Sequence, residues 1–263
     1  MTLIDPSIVN TEMILAALIG AIFWNLFTWY FGLPSSSSHA LIGGLLGAAL
    51  AKSGFSSLKF LGISKVLAAI VISPLLGFIF GLFLMFLIAR FFFNFTPHRI
   101  DGVFRQLQFI SSALISLGHG GNDAQKTMGI IAILLFSAGL LGDKFYVPIW
   151  VIVSCNLIIA LGTFFGGWRI VKTMGMKITK LKPVGGFSAE TASAVTLFLA
   201  TGLGIPVSTT HTVTGSIVGV GSLHSTAAVR WGVARNIVWA WILTIPASGL
   251  VAATVWWVIS LFS

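Results

Sequence analysis

The chain has 263 residues, 57% of them apolar and only 8% charged, and its mean hydropathy is +1.02. A soluble domain of this size cannot hide so much apolar surface behind so few charges, so the composition sets an integral membrane protein. The net charge of +9 lies in the gaps between apolar runs, where it reads as an orientation signal and lipid-headgroup contact and argues against nucleic-acid binding.

In chain order, residues Met1–Thr11 carry one acid, Asp5, and no basic n-region, so a cleaved signal peptide is not expected. Apolar runs follow at Glu12–Phe31, Ser36–Ala51, Ser64–Phe93, Arg105–Leu141, Tyr146–Trp168, Ala189–Leu203, Ser208–Ser222 and Val229–Phe262. A span needs about 20 residues. Tyr146–Trp168 meets that length with aromatic residues at both ends, as an interfacial belt would have. Ser36–Ala51, Ala189–Leu203 and Ser208–Ser222 are too short, and are expected to form re-entrant hairpins or broken helices with tips inside the protein. Cys155, mid-run and alone of its kind, reads as packing.

One pattern occurs twice. Gly32-Leu33-Pro34-Ser35-Ser36-Ser37-Ser38-His39 returns as Gly204-Ile205-Pro206-Val207-Ser208-Thr209-Thr210-His211, and Gly43 and Gly215 hold the same offset. Three crossings between the copies would bring the two hairpins in from opposite faces, as inverted repeats. The loop charges agree. Lys52, Lys59, Lys65 and Lys144 would lie on one face. Arg90, Arg99, Arg105, Arg169, Lys172, Lys177, Lys180, Lys182, Arg230 and Arg235 would lie on the other, cytoplasmic, face.

Of the six acids, Asp5, Glu12, Asp101 and Asp143 fall in loops or at segment ends, whereas Asp123 and Glu190 lie in or beside apolar runs. A carboxylate there costs roughly 2.5–3.5 kcal/mol unless it meets water, a cation or a partner charge. Asp123 stands in Gly118-His119-Gly120-Gly121-Asn122-Asp123-Ala124-Gln125-Lys126-Thr127. The three glycines suggest a helix broken at this point, with free backbone groups beside a ligand. Asn122, Asp123 and Gln125 offer the hard oxygen ligands that suit Na⁺, and no other metal site is expected. Lys126 either places a positive charge beside an oxyanion or neutralises Asp123.

The hydroxyls Ser36, Ser37, Ser38, Ser208, Thr209 and Thr210 follow a proline at a helix start, where one would serve as a cap. Three in each copy suggest two helix N-termini converging on a tetrahedral oxyanion. His39 and His211 either relay protons or sit neutral and buried; His119 is a neighbour of the Asn122-Asp123 pair. No nucleophile–base pair or zinc-ligand spacing points to an enzyme, and no cofactor is implied.

The Gly-His-Gly-Gly-Asn-Asp-Ala-Gln-Lys-Thr-Met-Gly stretch at 118–129, with both Pro-Ser/Thr-His copies, closely resembles the inorganic phosphate transporter family, particularly its bacterial branch. The resemblance covers nearly the whole chain. It implies an all-α, multi-pass protein of the inner or plasma membrane, made of inverted repeats with substrate near the midplane. The implied activity is symport of inorganic phosphate with Na⁺ or H⁺ by alternating access. Asn122 and Asp123 match the family's Asn-Asp motif, Lys126 stands where the common pattern has a second asparagine, and Glu190 matches a functional glutamate of the second repeat. The resemblance also implies an Asn-Asp motif in each repeat. Only one is present, so repeat one (1–103) is expected to lack its opening spans, whereas repeat two (104–263) has them. The rival readings are a permease for sulfate or another oxyanion, or a truncated, non-transporting membrane subunit. The expected partners are phosphate, the coupling cation, the bilayer and a second copy of the chain.

Overall fold

The computed structural model describes residues 3–142, 144–203 and 207–262. Asp143 and the Gly204-Ile205-Pro206 limb of the second motif copy lie outside the described residues. Among the described residues the helices are α1 (Thr11–Tyr30), α2 (Ser37–Ser53), α3 (Phe60–Phe91), α4 (Pro97–Ser137), α5 (Ile149–Gly166), α6 (Trp168–Lys172, continued by a π turn, Thr173–Ile178), α7 (Pro183–Gly202), α8 (Thr209–His224) and α9 (Trp231–Ser260). Extended pairing is confined, among these residues, to one bridge between Ile4 and Leu58. The 172-residue spacing of the motifs maps α1, α2 and α3 onto α7, α8 and α9, and it also maps Pro74 inside α3 onto Pro246 inside α9.

Local chemistry sets the ends of these helices. Asn10 caps α1 by accepting from the Met13 N–H, and Ser36 and Ser208 cap α2 and α8 by accepting from the His39 and His211 N–H groups. Pro97 and Pro183 sit in the opening turns of α4 and α7, where the missing N–H is no loss. Gly32, at φ +65°, turns the chain out of α1 in a backbone conformation that other residues rarely adopt.

α1 and α2 fold into one hairpin, and α7 and α8 into another. The first opens where α3 begins: the Lys52 ammonium donates to the Ile8 carbonyl, and Asp5 lies 4.0 Å from Lys59. The second opens where α3 ends, since Gly185 of α7 and Val220 of α8 share a cavity wall with Met85 and Phe92. Each hairpin packs on the third helix of the other repeat, α2 along α9 and α8 along α3. Glycines make both seams. A Cβ on Gly43 or Gly47 would collide with Ile245, Ser248 and Gly249. One on Gly215 or Gly219 would collide with Pro74 and Phe78. Such close backbone approach lets dispersion hold helices together where lipid supplies no hydrophobic drive.

Polarity is turned inward. His211, Thr212, Ser216, Thr244 and Ser248 are fully buried, whereas Phe23, Leu26, Phe83, Ile149 and Trp257 face outward. Buried hydroxyls such as Ser248 and Thr244 return their protons to the carbonyl one turn back, so few polar groups are left unpaired.

The structure corrects several sequence expectations. The Asn-Asp stretch is not broken; α4 runs unbroken for 41 residues, from Pro97 to Ser137. A glycine weakens a helix by only about 1 kcal/mol, whereas peptide groups freed inside a bilayer cost several kcal/mol each. The expected boundary at 103/104 therefore falls within α4, and the chain instead turns between helices at residues 92–96. α7 begins at Pro183, six residues before the expected start, which makes it a 20-residue helix.

Candidate functional site

The tips of the two hairpins touch each other deep inside the molecule. The Thr210 hydroxyl at the start of α8 donates to the Ser35 carbonyl over 3.2 Å. The rings of His39 and His211 meet edge-on with centroids 4.9 Å apart. Trp241 of α9 stacks on His211 at 3.9 Å and donates its indole N–H to the Pro34 carbonyl, clamping one tip against the other. Thr28 and Ser35 share a hydrogen bond of 2.6 Å, closing the first turn.

α4 runs across this junction and presents Asp123 to both tips. Ser38 donates to Oδ1 of Asp123 at 3.4 Å, and Thr209 donates to Oδ2 at 3.5 Å. The Lys126 ammonium lies 3.2 Å from Oδ1 and donates to the Ser38 hydroxyl at 2.6 Å. Nδ1 of His119 stands 3.1 Å from Oδ2, close enough for a charge contact though not aligned as a hydrogen bond. The Asn122 amide donates to the Val207 carbonyl at 3.4 Å. Asp123 is thus held by one cation, two hydroxyls and an imidazole, with 14% of its side chain exposed.

Helix geometry decides which predicted residues arrive. His119, Asp123 and Lys126 are spaced by four and three, so a continuous helix sets them on one face. Gln125 is two residues on, about 200° round the axis. It is exposed and does not join Asp123. Ser36 and Ser208 are buried as caps, each keeping its hydroxyl proton free to donate. Ser37 faces outward.

Glu190 stands apart. It accepts from Ser111, which lies twelve residues before Asp123 on α4, roughly 18 Å of helix away. Glu190 therefore does not share a coordination shell with Asn122 and Asp123. Trp241, Thr28 and Ser111 are the contacts that the sequence reading missed. Only Ser111 carried a usable signal, as a hydroxyl on the face of α4 that meets α7.

Both nitrogens of His211 and Nδ1 of His39 are buried without an aligned partner. His211 lies against the backbone of Ile70. Pro74, four residues on, has no N–H to take the Ile70 carbonyl, so α3 leaves an acceptor free beside the ring. Chemically, the junction assembles hydroxyl and N–H donors at two helix N-termini, a lysine, and a carboxylate with oxygen neighbours. The donors suit an oxyanion, and the carboxylate, the hydroxyls and the Val207 carbonyl could hold a small hard cation. Among the described residues, no cluster of three or more His, Cys, Asp or Glu is arranged for a transition metal.

A family model described as "Phosphate transporter family" matches residues 1–98 and 93–252. The chain belongs to the phosphate transporter family. The two matched segments meet at the α3–α4 turn, where the fold also divides. A "probable low-affinity inorganic phosphate transporter" of Rhizobium meliloti is 62% identical over 95% of this chain and 75% of its own length. One of the same description from Bacillus subtilis is 41% identical over 98% of this chain and 78% of its own. A solved structure titled "The sodium-dependent phosphate transporter" superposes with a TM-score of 0.87 at 26% identity, over 99% of this chain and 83% of that one. This chain is accordingly a multi-pass membrane protein of the transporter class, not an enzyme.

Proposed function

We propose that the junction of the two hairpin tips carries inorganic phosphate across the membrane together with a cation, Na⁺ or H⁺, by alternating access. The observation that carries this reading is the convergence of Ser38 and Thr209, one from each hairpin, on Asp123 and Lys126. In this scheme Ser36, Ser38, Ser208 and Thr209 donate to the anion, Thr210 ties the two tips together through the Ser35 carbonyl, Lys126 supplies charge, and Asn122 and Asp123 take the coupling ion. The printed names of the relatives support phosphate, and that of the solved structure supports sodium. Inverted repeats are supported by the opposed openings of the two hairpins along α3. Rocking one hairpin against α4 and its partner tip would then expose the site to each side in turn.

The test is uptake of labelled phosphate by the full chain in proteoliposomes, under an imposed Na⁺ or H⁺ gradient. Uptake is expected with one of these gradients, to be unaffected by excess sulfate, and to fall at least about 100-fold in Asp123→Asn. That loss reflects a lysine left without its carboxylate, a defect worth about 3 kcal/mol in a largely buried pair. Sulfate competition would replace phosphate with a broader oxyanion class. Absence of uptake under both gradients would overturn autonomous transport.

A further inference from the structure

Away from the hairpin tips, where α3 ends and the second hairpin opens, the structure holds a cavity of about 470 Å³. Its inner wall is apolar, formed by Met85 and Ile88 of α3, Phe92 just beyond its end, Val184 of α7 and Val220 of α8. Its mouth carries Lys180 and Lys182, both exposed and, among the described residues, in no ion pair. A second cavity of about 390 Å³ adjoins it across Phe92 and Phe95 and carries His98 and Arg99. Asp101, half-buried in the second turn of α4, is the one acid in either lining. Arg90, Lys177 and Arg230 lie in the same group of helix ends and loops, the face that loop charge makes cytoplasmic.

An apolar cleft opening between helix ends, with unpaired cations at its lip, has the two-part chemistry of a phospholipid: acyl chain within, anionic headgroup at the water boundary. We propose that this cleft binds an anionic phospholipid, its phosphate against Lys180 and Lys182 and an acyl chain along Met85, Ile88 and Val220. Asp101 is placed to accept from a headgroup hydroxyl, which favours a hydroxylated headgroup such as phosphatidylglycerol. The cleft is walled by α3 from the first repeat and by α7 and α8 from the second, so its occupant touches both repeats at their seam. The site needs none of the residues at the hairpin tips, and it stands whether or not phosphate is the cargo.

The test is native mass spectrometry of the full chain titrated with phosphatidylglycerol or phosphatidylcholine of the same acyl chains. The expected result is retention of phosphatidylglycerol at about tenfold lower concentration, from two basic side chains at the surface. The exposed double variant K180Q/K182Q is expected to abolish that preference. Ala89→Trp, at an exposed position on the cleft lining, is expected to remove tight binding of both lipids by filling the cleft. Equal retention of the two lipids by the unaltered chain would overturn the proposal. So would a preference that survives K180Q/K182Q, or one untouched by Ala89→Trp, which would mean adsorption to a charged surface.

Discussion

The two repeats share a hairpin, a proline-bearing third helix and a capping serine, yet they have different neighbours. α7 is covered along one side by α4, with Leu197 beside Gly118 and Glu190 beside Ser111. The matching side of α1 bears Leu15, Ile19, Ile22 and Leu26, all exposed. Beyond its packing on α2 and α9, α1 is tied at its far end, where Arg169 donates to the Tyr30 carbonyl and lies over the Trp29 and Tyr30 rings, and Trp29 donates to the Gly166 carbonyl. The difference teaches that a single helix serves both tips. α4 packs beside the second hairpin but sends Lys126 and Asp123 to Ser38 of the first.

That asymmetry can be broken most directly at the equivalent-looking hydroxyls. Ser38 accepts from Lys126 at 2.6 Å and donates to Asp123, whereas Thr209 meets only Asp123, at 3.5 Å. Ser38→Ala removes a charged hydrogen bond, worth about 1.5–3 kcal/mol. It is therefore expected to lower phosphate uptake by about 10- to 100-fold, against a few-fold for Thr209→Val. Initial-rate uptake in vesicles of matched protein content measures both. Equal losses would mean that α4 treats the two tips alike.

What the sequence made legible follows from periodicity and repetition. The duplicated motif located both hairpins, and the buried carboxylate located α4's contribution, because each is a departure from an apolar background. The continuity of α4 was hidden by its glycines. Gly121 and Gly129 face open space, with no neighbour that a Cβ would meet, so composition alone suggested a break that the bilayer's demand for paired backbone forbids. The reading of Gln125 failed with it, since only an unwound segment would let Gln125 and Asp123 point the same way. The distance of Glu190 and the Trp241 clamp depend on how α7 and α9 pack, and no spacing within a single helix encodes that.

The glycine seams sharpen the comparison at smaller cost. Gly47 against Gly249 and Gly219 against Phe78 occupy equivalent places in the two repeats, and in each a Cβ would strike backbone. Gly47→Ala and Gly219→Ala are each expected to destabilise the fold by about 1–3 kcal/mol through forced separation of the helices. Thermal unfolding in detergent, read as loss of monodisperse protein, compares them. A loss confined to one variant would show that only that seam is rigid.

The smallest effect concerns the open end of the first hairpin, outside the spans. The Ser7 N–H and hydroxyl both donate to Asp5, and these bonds, with a smaller contribution from Lys59, hold its carboxyl below the ordinary value of 3.8. A depressed carboxylate stabilises the fold above its unfolded pKa, and that contribution fades as pH falls through the lower, folded value. The strap from Asp5 to Ser57 and Lys59 is therefore expected to loosen only in strong acid, below about pH 4, and to be indifferent to pH from 5 to 8. Because the group is half-exposed and lies far from the hairpin tips, Asp5→Asn should leave uptake unchanged and remove only this acid-side dependence. Hydrogen exchange of the Asp5 and Lys59 amides across that range reads it directly. A transition near neutral pH would assign the change to another group.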